Sequence, residues 1–220
     1  MDYITINHVY YKYCSAEDYA VKDISINISK GELLLITGGN GSGKSTLLKL
    51  IMKAVKPESG NINLEGKSLN SYSINEIGQK IGFVFQNPNH MIFNTTVYNE
   101  FAFGLKQIKK SSTEIDKLAE YYLKKFDLYH LSNSNPFNLS EGQKQLLIIS
   151  AVLAMKPDFL ILDEPTTGID KNHKQILIEI LNTIHSDGTG IIIISHDNKL
   201  INELNGREIF MQQGKIVETY

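Results

Sequence analysis

The loop Gly38–Thr46, GGNGSGKST, constrains this chain more than any other feature. It follows Leu33–Thr37, LLLIT, a continuous apolar run of the kind that forms a strand buried on both faces. It leads into Ser45–Ala54, which reads as a helix stopped by Pro57. Gly38 to Ser45 match G-x-x-x-x-G-K-[ST], the spacing at which backbone N–H groups turn inward around phosphates. The helix beginning at Lys44 aims its partial positive end at the same point. In this arrangement Gly38, Asn40, Gly41, Ser42, Gly43, Lys44, Ser45 and Thr46 wrap a nucleoside triphosphate such as ATP. The Lys44 ammonium reaches the β and γ phosphates, and the Ser45 hydroxyl ligates Mg²⁺.

The rest of the chain supplies a matching framework. Ile4–Ile6 and Asp23–Ile28 alternate apolar and polar residues, as half-buried strands do. Further strands read at Gly60–Leu64, Ile81–Phe85, Phe159–Leu162, Gly190–Ser195 and Glu208–Met211. Capping boxes read at Ser73/Glu76 and Ser111/Glu114, the second opening a helix with one apolar face through Phe126. Leu146–Met155 is apolar nearly all round, as in a buried helix. Strands alternating with helices predict an α/β fold with a mainly parallel sheet covered on both faces. A helical insert near residues 90–155 interrupts it.

Composition narrows the partners. The chain has 220 residues with a formal net charge of −2, which argues against a basic nucleic-acid face, so no nucleic-acid partner is expected. A single cysteine, Cys14, rules out a disulfide framework within the sequence. The N-terminus lacks a basic-then-apolar signal pattern. Apolar stretches such as Leu146–Ile149 and Ile191–Ile194 are too short to span a bilayer, so service to a membrane is expected from the cytoplasmic side, through a partner.

Three strand ends carry chemistry. Phe159–Leu162 ends in Asp163-Glu164-Pro165, placing two carboxylates where open α/β sheets bind ligands. Asp163 is expected to hold the Mg²⁺ shell and Glu164 to polarise the water that attacks the γ-phosphate. His196 leaves the strand Ile191–Ser195 at the same edge, set to hold that water. Gln86 ends another strand, its amide in reach of Mg²⁺ or the water. These groups surround one side of a nucleotide. A second anion cradle, Leu139-Ser-Glu-Gly-Gln143, lies on the helical insert, where it cannot easily fold back onto its own loop. In a head-to-tail dimer it would face the partner's γ-phosphate.

With these motifs in order, the chain resembles the ATP-binding cassette (ABC) family of transporter ATPases over nearly its whole length. The matching positions are the P-loop Gly38–Thr46, the Q-loop Gln86, the signature Leu139–Gln143, Phe159–Asp163 with Glu164, the D-loop Thr167–Asp170 and the switch His196. The resemblance implies a P-loop NTPase core of RecA-like type, an N-terminal antiparallel β subdomain and an inserted α-helical subdomain. It implies one domain, with 1–88 and 156–220 as the nucleotide-binding core and 89–155 as the signature subdomain. It implies an Mg²⁺-dependent ATPase acting as a dimer on the cytoplasmic face of the membrane. Its catalytic groups are Lys44, Gln86, Glu164 and His196, its metal ligands Ser45, Gln86 and Asp163, and its partner-facing groups Ser140, Gly142 and Gln143. Tyr13 occupies the place of the aromatic that stacks on adenine, with Tyr11 as the competing choice.

Gln86-Asn-Pro88, Phe93, Thr96-Val97, Glu100 and Phe101–Gly104 resemble the ATPases of energy-coupling factor (ECF) importers. That likeness implies a transmembrane coupling subunit and a substrate-binding membrane subunit, with Phe93, Phe101 and Phe103 lining the groove that receives a coupling helix. A soluble, non-transport ABC ATPase is the alternative. A chromosome-organising head is disfavoured, because the 53 residues between Gln86 and Ser140 leave no room for a coiled-coil arm. Two departures bear on pairing. Glu141 stands where the signature has glycine, and Leu146 where arginine is usual. A carboxylate beside the triphosphate is expected to weaken the composite site, which favours a heterodimer with a paralogue.

Overall fold

The computed structural model describes residues 2–14 and 16–219. Among them the elements follow in chain order as β1 (Asp2–Tyr11), β2 (Val21–Ser29), β3 (Leu33–Thr37), α1 (Lys44–Ile51), β4 (Ser59–Leu64), β5 (Lys67–Ser68), α2 (Ile74–Lys80), β6 (Ile81–Val84), α3 (Val97–Gln107), α4 (Ser112–Lys125), α5 (Glu141–Ala154), β7 (Phe159–Asp163), α6 (Lys171–Ser186), β8 (Gly190–Ile194), α7 (Asn198–Glu203), β9 (Arg207–Gln212) and β10 (Lys215–Thr219).

The strands form two sheets. The larger runs β10-β9-β3-β8-β7-β6, parallel from β9 to β6 with β10 antiparallel at one edge. The smaller runs β2-β1-β4-β5 and is antiparallel. The apolar strands are interior: every residue of β3 and β8 is buried. Because successive side chains point to opposite faces, each central strand feeds two cores. Leu34, Ile36, Ile161 and Ile192 face the core shared with the antiparallel sheet and α1. Leu33, Leu35, Leu160 and Ile193 face the core shared with the helices.

The helical insert is built from α3, α4 and α5. The capping boxes read at Ser73/Glu76 and Ser111/Glu114 are both formed. Helix α5 starts at Glu141, with Ser140 and Gln143 making a third capping box ahead of its apolar stretch. Leu146, in place of the arginine usual in the family, is fully buried.

Three helices carry no expectation from the sequence: α3, α6 and the short α7 capped by Asp197. Helix α3 buries Val97, Phe101, Ala102 and Leu105 along one face, with Thr96 as its N-cap. Helix α6 buries Leu177, Ile178, Leu181 and Ile184 behind a polar first turn capped by Asp170. The face of α3 corrects one expectation. Phe93 and Phe103 are exposed, but Phe101 is fully buried and belongs to the core rather than to a surface groove.

Candidate functional site

The loop after β3 can take its path only with glycine at certain points. Gly38 has φ 133°, and a Cβ there would lie 2.0 Å from the Met211 carbonyl oxygen. Gly43, the residue before α1, has φ 103°, and a Cβ there would lie 2.3 Å from the Ala20 carbonyl oxygen. Both conformations exclude a side chain. The Gly214 N–H donates to Ser42 O at 2.9 Å, tying the loop to the β9–β10 turn. The Lys44 ammonium folds back on this loop, donating to Gly38 O at 2.5 Å and Gly39 O at 3.0 Å. Burial lowers its pKa, and the nearby charges of Glu164 and Asp163 oppose that shift.

The sheet order brings the strand ends together. β3, β8, β7 and β6 are successive neighbours, so the residues that follow them meet at one C-terminal edge. Asp163 at the end of β7 and Ser45 at the start of α1 line the same cleft. Burial raises the Asp163 pKa, while the Ser45 hydroxyl and the Lys44 and Lys49 charges hold it down. Glu164 follows with φ 48°, a left-handed conformation uncommon for a residue with a side chain. Its N–H donates to Ile194 O at 2.9 Å, so the neighbouring strand holds that turn in place. Its carboxylate accepts from the His196 N–H at 3.3 Å, and His196 Nε2 lies 3.2 Å from its other oxygen. Burial raises the Glu164 pKa, with the His196 contacts and Lys44 acting against it and Asp163 adding to it.

Tyr13, Lys44, Gln86, Asp163, Glu164 and His196 all line one cleft of about 580 Å³, a size suited to a nucleotide. The Tyr13 hydroxyl lies 3.2 Å from Thr46 Oγ1, Lys49 Nζ sits 5.9 Å from its ring centre, and Tyr11 packs edge-on against it at 4.9 Å. Tyr11 itself packs against the core beneath. One cleft residue, Ala20, carried no signal in the sequence, since it packs against the loop through its backbone carbonyl. The donor set fits Mg²⁺: hydroxyl, carboxylate and amide oxygens from Ser45, Asp163 and Gln86 beside a phosphate loop suit a hard cation that keeps phosphate ligands.

Ser140, Gly142 and Gln143 are not part of this cleft. The Ser140 hydroxyl accepts from the Gln143 N–H at 3.2 Å, and Gln143 Oε1 accepts from the Ser140 N–H at 3.0 Å. Gly142 packs where a Cβ would touch His173 and Ile169 at 3.6 Å. Glu141 does not stand as a free carboxylate: Lys144 Nζ donates to it at 2.9 Å and Asn89 Nδ2 at 3.1 Å. The carboxylate from which a weakened composite site was expected is thus paired within its own chain.

Known proteins share this architecture. The family model described as ABC transporter matches residues 21–167. A putative ABC transporter ATP-binding protein of Methanosarcina mazei is 39% identical over 206 residues, covering 93% of this chain and 35% of that protein. The putative HMP/thiamine import ATP-binding protein YkoD of Bacillus subtilis is 39% identical over 180 residues, covering 82% of this chain and 32% of that protein. The chain thus spans about a third of the length of these two relatives. Among solved structures, cbiO1 from Clostridium perfringens, described as part of the ABC transporter complex cbiONQ, superposes with a TM-score of 0.88 at 34% identity, covering 100% of this chain and 88% of that one. The dimer of the cassette MJ0796 bound to ADP and Pi gives 0.89 at 29% identity, covering 99% and 97%. The chain belongs to the ABC transporter family, and it forms an ABC ATPase domain whose site is one for ATP and Mg²⁺.

Proposed function

We propose that this chain is the ATP-binding and hydrolysing subunit of an importer of the ECF kind, working at the cytoplasmic face of a membrane. One observation carries the reading: the cleft gathers the phosphate loop, Asp163, Glu164, His196 and Gln86 on one side, while Ser140 and Gly142 lie outside it. A site built in two halves on one chain is completed by a second copy or a paralogue. Bound Mg²⁺ supplies charge neutralisation at the phosphates. Ser45, Asp163 and Gln86 hold it, Tyr13 stacks on adenine, and Lys44 and His196 stabilise the charge that develops on transfer. Glu164 accepts a proton from the attacking water, which its raised basicity favours. Ser140 and Gly142 of each chain would close over the other's γ-phosphate.

The import reading draws on two relatives, one named for HMP/thiamine import and one described as part of the cbiONQ complex. A shallow apolar groove supports it, lined by Met91, Phe93, Phe103, Ile148 and Met155 on the helical segment 89–155. Exposed aromatics of this kind suit the apolar side of a coupling helix. The test is phosphate release from MgATP by the purified chain, followed by co-purification with co-encoded membrane proteins. Hydrolysis with no membrane protein co-purifying would favour a soluble, non-transport ABC ATPase. No hydrolysis in either setting would sink the proposal.

A further inference from the structure

The helix that begins the signature segment starts with a carboxylate that the cleft does not use. Glu141 is the first residue of α5, and both its oxygens are engaged. Oε1 accepts from Lys144 Nζ at 2.9 Å, and Oε2 accepts from Asn89 Nδ2 at 3.1 Å. Lys144 is only 7% exposed, so its ammonium relies on that carboxylate. Removing one member of such a pair leaves a charge stranded. Asn89 sits in the short turn Pro88–His90, just after Gln86, and its own N–H is held by Asn87 Oδ1 at 3.0 Å. On the other side, a Cβ on Gly168 would lie 3.7 Å from Glu141 Cβ, and Thr167 beside it lines the cleft. Glu141 therefore stands where three segments meet: the one that follows Gln86, the one that follows Glu164, and the start of α5. A glycine at this position makes none of these contacts.

We propose that Glu141 is a positioning residue that fastens the start of α5 to the segment after Gln86, while Lys144 cancels its charge and keeps the Ser140–Gly142 cradle usable for an anion. The first half concerns this chain alone, and the second rests on the reading of Ser140 and Gly142 as the cradle for a partner's phosphate. Through this link the start of α5, which would face a second subunit, is tied to the segment carrying the chain's own Gln86. An unpaired carboxylate beside a phosphate would oppose its binding through like-charge repulsion, which the shift in ATP concentration below would read.

Hydrogen–deuterium exchange on the nucleotide-free protein tests the fastening. Asn89→Ala and Glu141→Gly should each speed exchange of amides 87–93 by about tenfold, the worth of one charge-assisted hydrogen bond. The double variant should add little more, and exchange in β3, β7 and β8 should not change. Unaltered exchange at 87–93 in both single variants would overturn the proposal. ATP-driven self-association tests the charge cancellation, in a Glu164→Gln background chosen to slow ATP turnover. Lys144→Gln should raise the ATP concentration for half-association by about tenfold, and adding Glu141→Gly should restore it to within about twofold. A double variant as poor as Lys144→Gln alone would overturn the charge half. A parent that stays monomeric in ATP would refute the composite site instead, and the exchange result alone would then decide the role of Glu141.

Discussion

Glu164 is gripped twice by His196, once by its backbone N–H at 3.3 Å and once by ring Nε2 at 3.2 Å. The two residues are 32 positions apart and meet because β7 and β8 are adjacent parallel strands. The carboxylate is thus aimed into the cleft before any substrate arrives, with its backbone locked in a left-handed turn. Such preorganisation is what a proton acceptor for water needs.

Glu164→Gln should keep MgATP binding and lose about 10²–10³-fold in turnover, the typical loss when a preorganised polar group is removed. Phosphate release under single-turnover conditions checks it. Turnover at the parental rate would remove Glu164 from the proposed role.

The same variant makes a prediction about stability. Burial raises the Glu164 pKa in the fold, so the folded chain binds this proton more tightly than the unfolded one. The protonated form is favoured by folding, and that contribution is lost as pH rises through the raised pKa. Nucleotide-free Glu164→Gln should therefore melt higher than the parent at pH 8. The gap should close as the pH falls and the parental carboxyl protonates. A lower Tm for the variant at pH 8 would contradict this.

The acid limb of the activity profile should lie above the ordinary glutamate range, since burial raises the Glu164 pKa. His196 is the first of the influences that hold that pKa down. His196→Ala should lower kcat and also move the acid limb to higher pH. A drop in kcat with no shift of the limb would show that His196 acts on something other than Glu164.

Lys44→Ala should weaken MgATP binding by roughly 10–100-fold, the value of a charge-assisted hydrogen bond to phosphate. Equilibrium binding of a fluorescent ATP analogue reads it. Tyr13→Ala should cost about 1–3 kcal/mol of stacking, while Tyr13→Phe should bind nearly as the parent does. Tyr11→Ala should show mainly in thermal stability, because Tyr11 packs against the core and supports the Tyr13 ring. Equal loss of binding in Tyr11→Ala and Tyr13→Ala would leave the stacking residue misassigned.

Phe93→Asp and Phe103→Asp should leave folding and ATP binding intact and abolish co-purification with membrane subunits, since both rings are exposed. Phe101→Asp should fail to fold. The ring is fully buried, and emptying such a site costs about 3–5 kcal/mol before the added cost of a buried charge. A soluble Phe101→Asp variant that lost only the membrane partner would reverse the assignment.

Much of the site is legible along the chain because its parts are local. The phosphate loop is one contiguous segment whose glycines answer to its own backbone path, and Asp163, Glu164 and His196 announce themselves at the ends of apolar runs. The capping boxes at Ser73 and Ser111 are likewise short-range patterns. Helix α3 does carry a local signal, Thr96 ahead of apolar residues at 97, 101 and 105, but Phe101 and Phe103 read there as groove lining, while in α6 a polar first turn masks the apolar residues behind it.

The sequence by itself determined most of the strands, the loop chemistry and the kind of ligand, since each follows from neighbouring residues and a period of two or 3.6, whereas β5 and β10 carry no such pattern. Tertiary structure alone decided which residues meet. Periodicity tells which way Leu34 and Leu35 point, but not that β3 lies between β9 and β8. The resemblance to the ABC signature marks Glu141 as a departure, but only packing brings Lys144 and Asn89 to its two oxygens, the second from 52 positions away. Strand order and helix contact are settled by the burial of whole faces, a free energy summed over residues distant in the chain, and so no local pattern contains it.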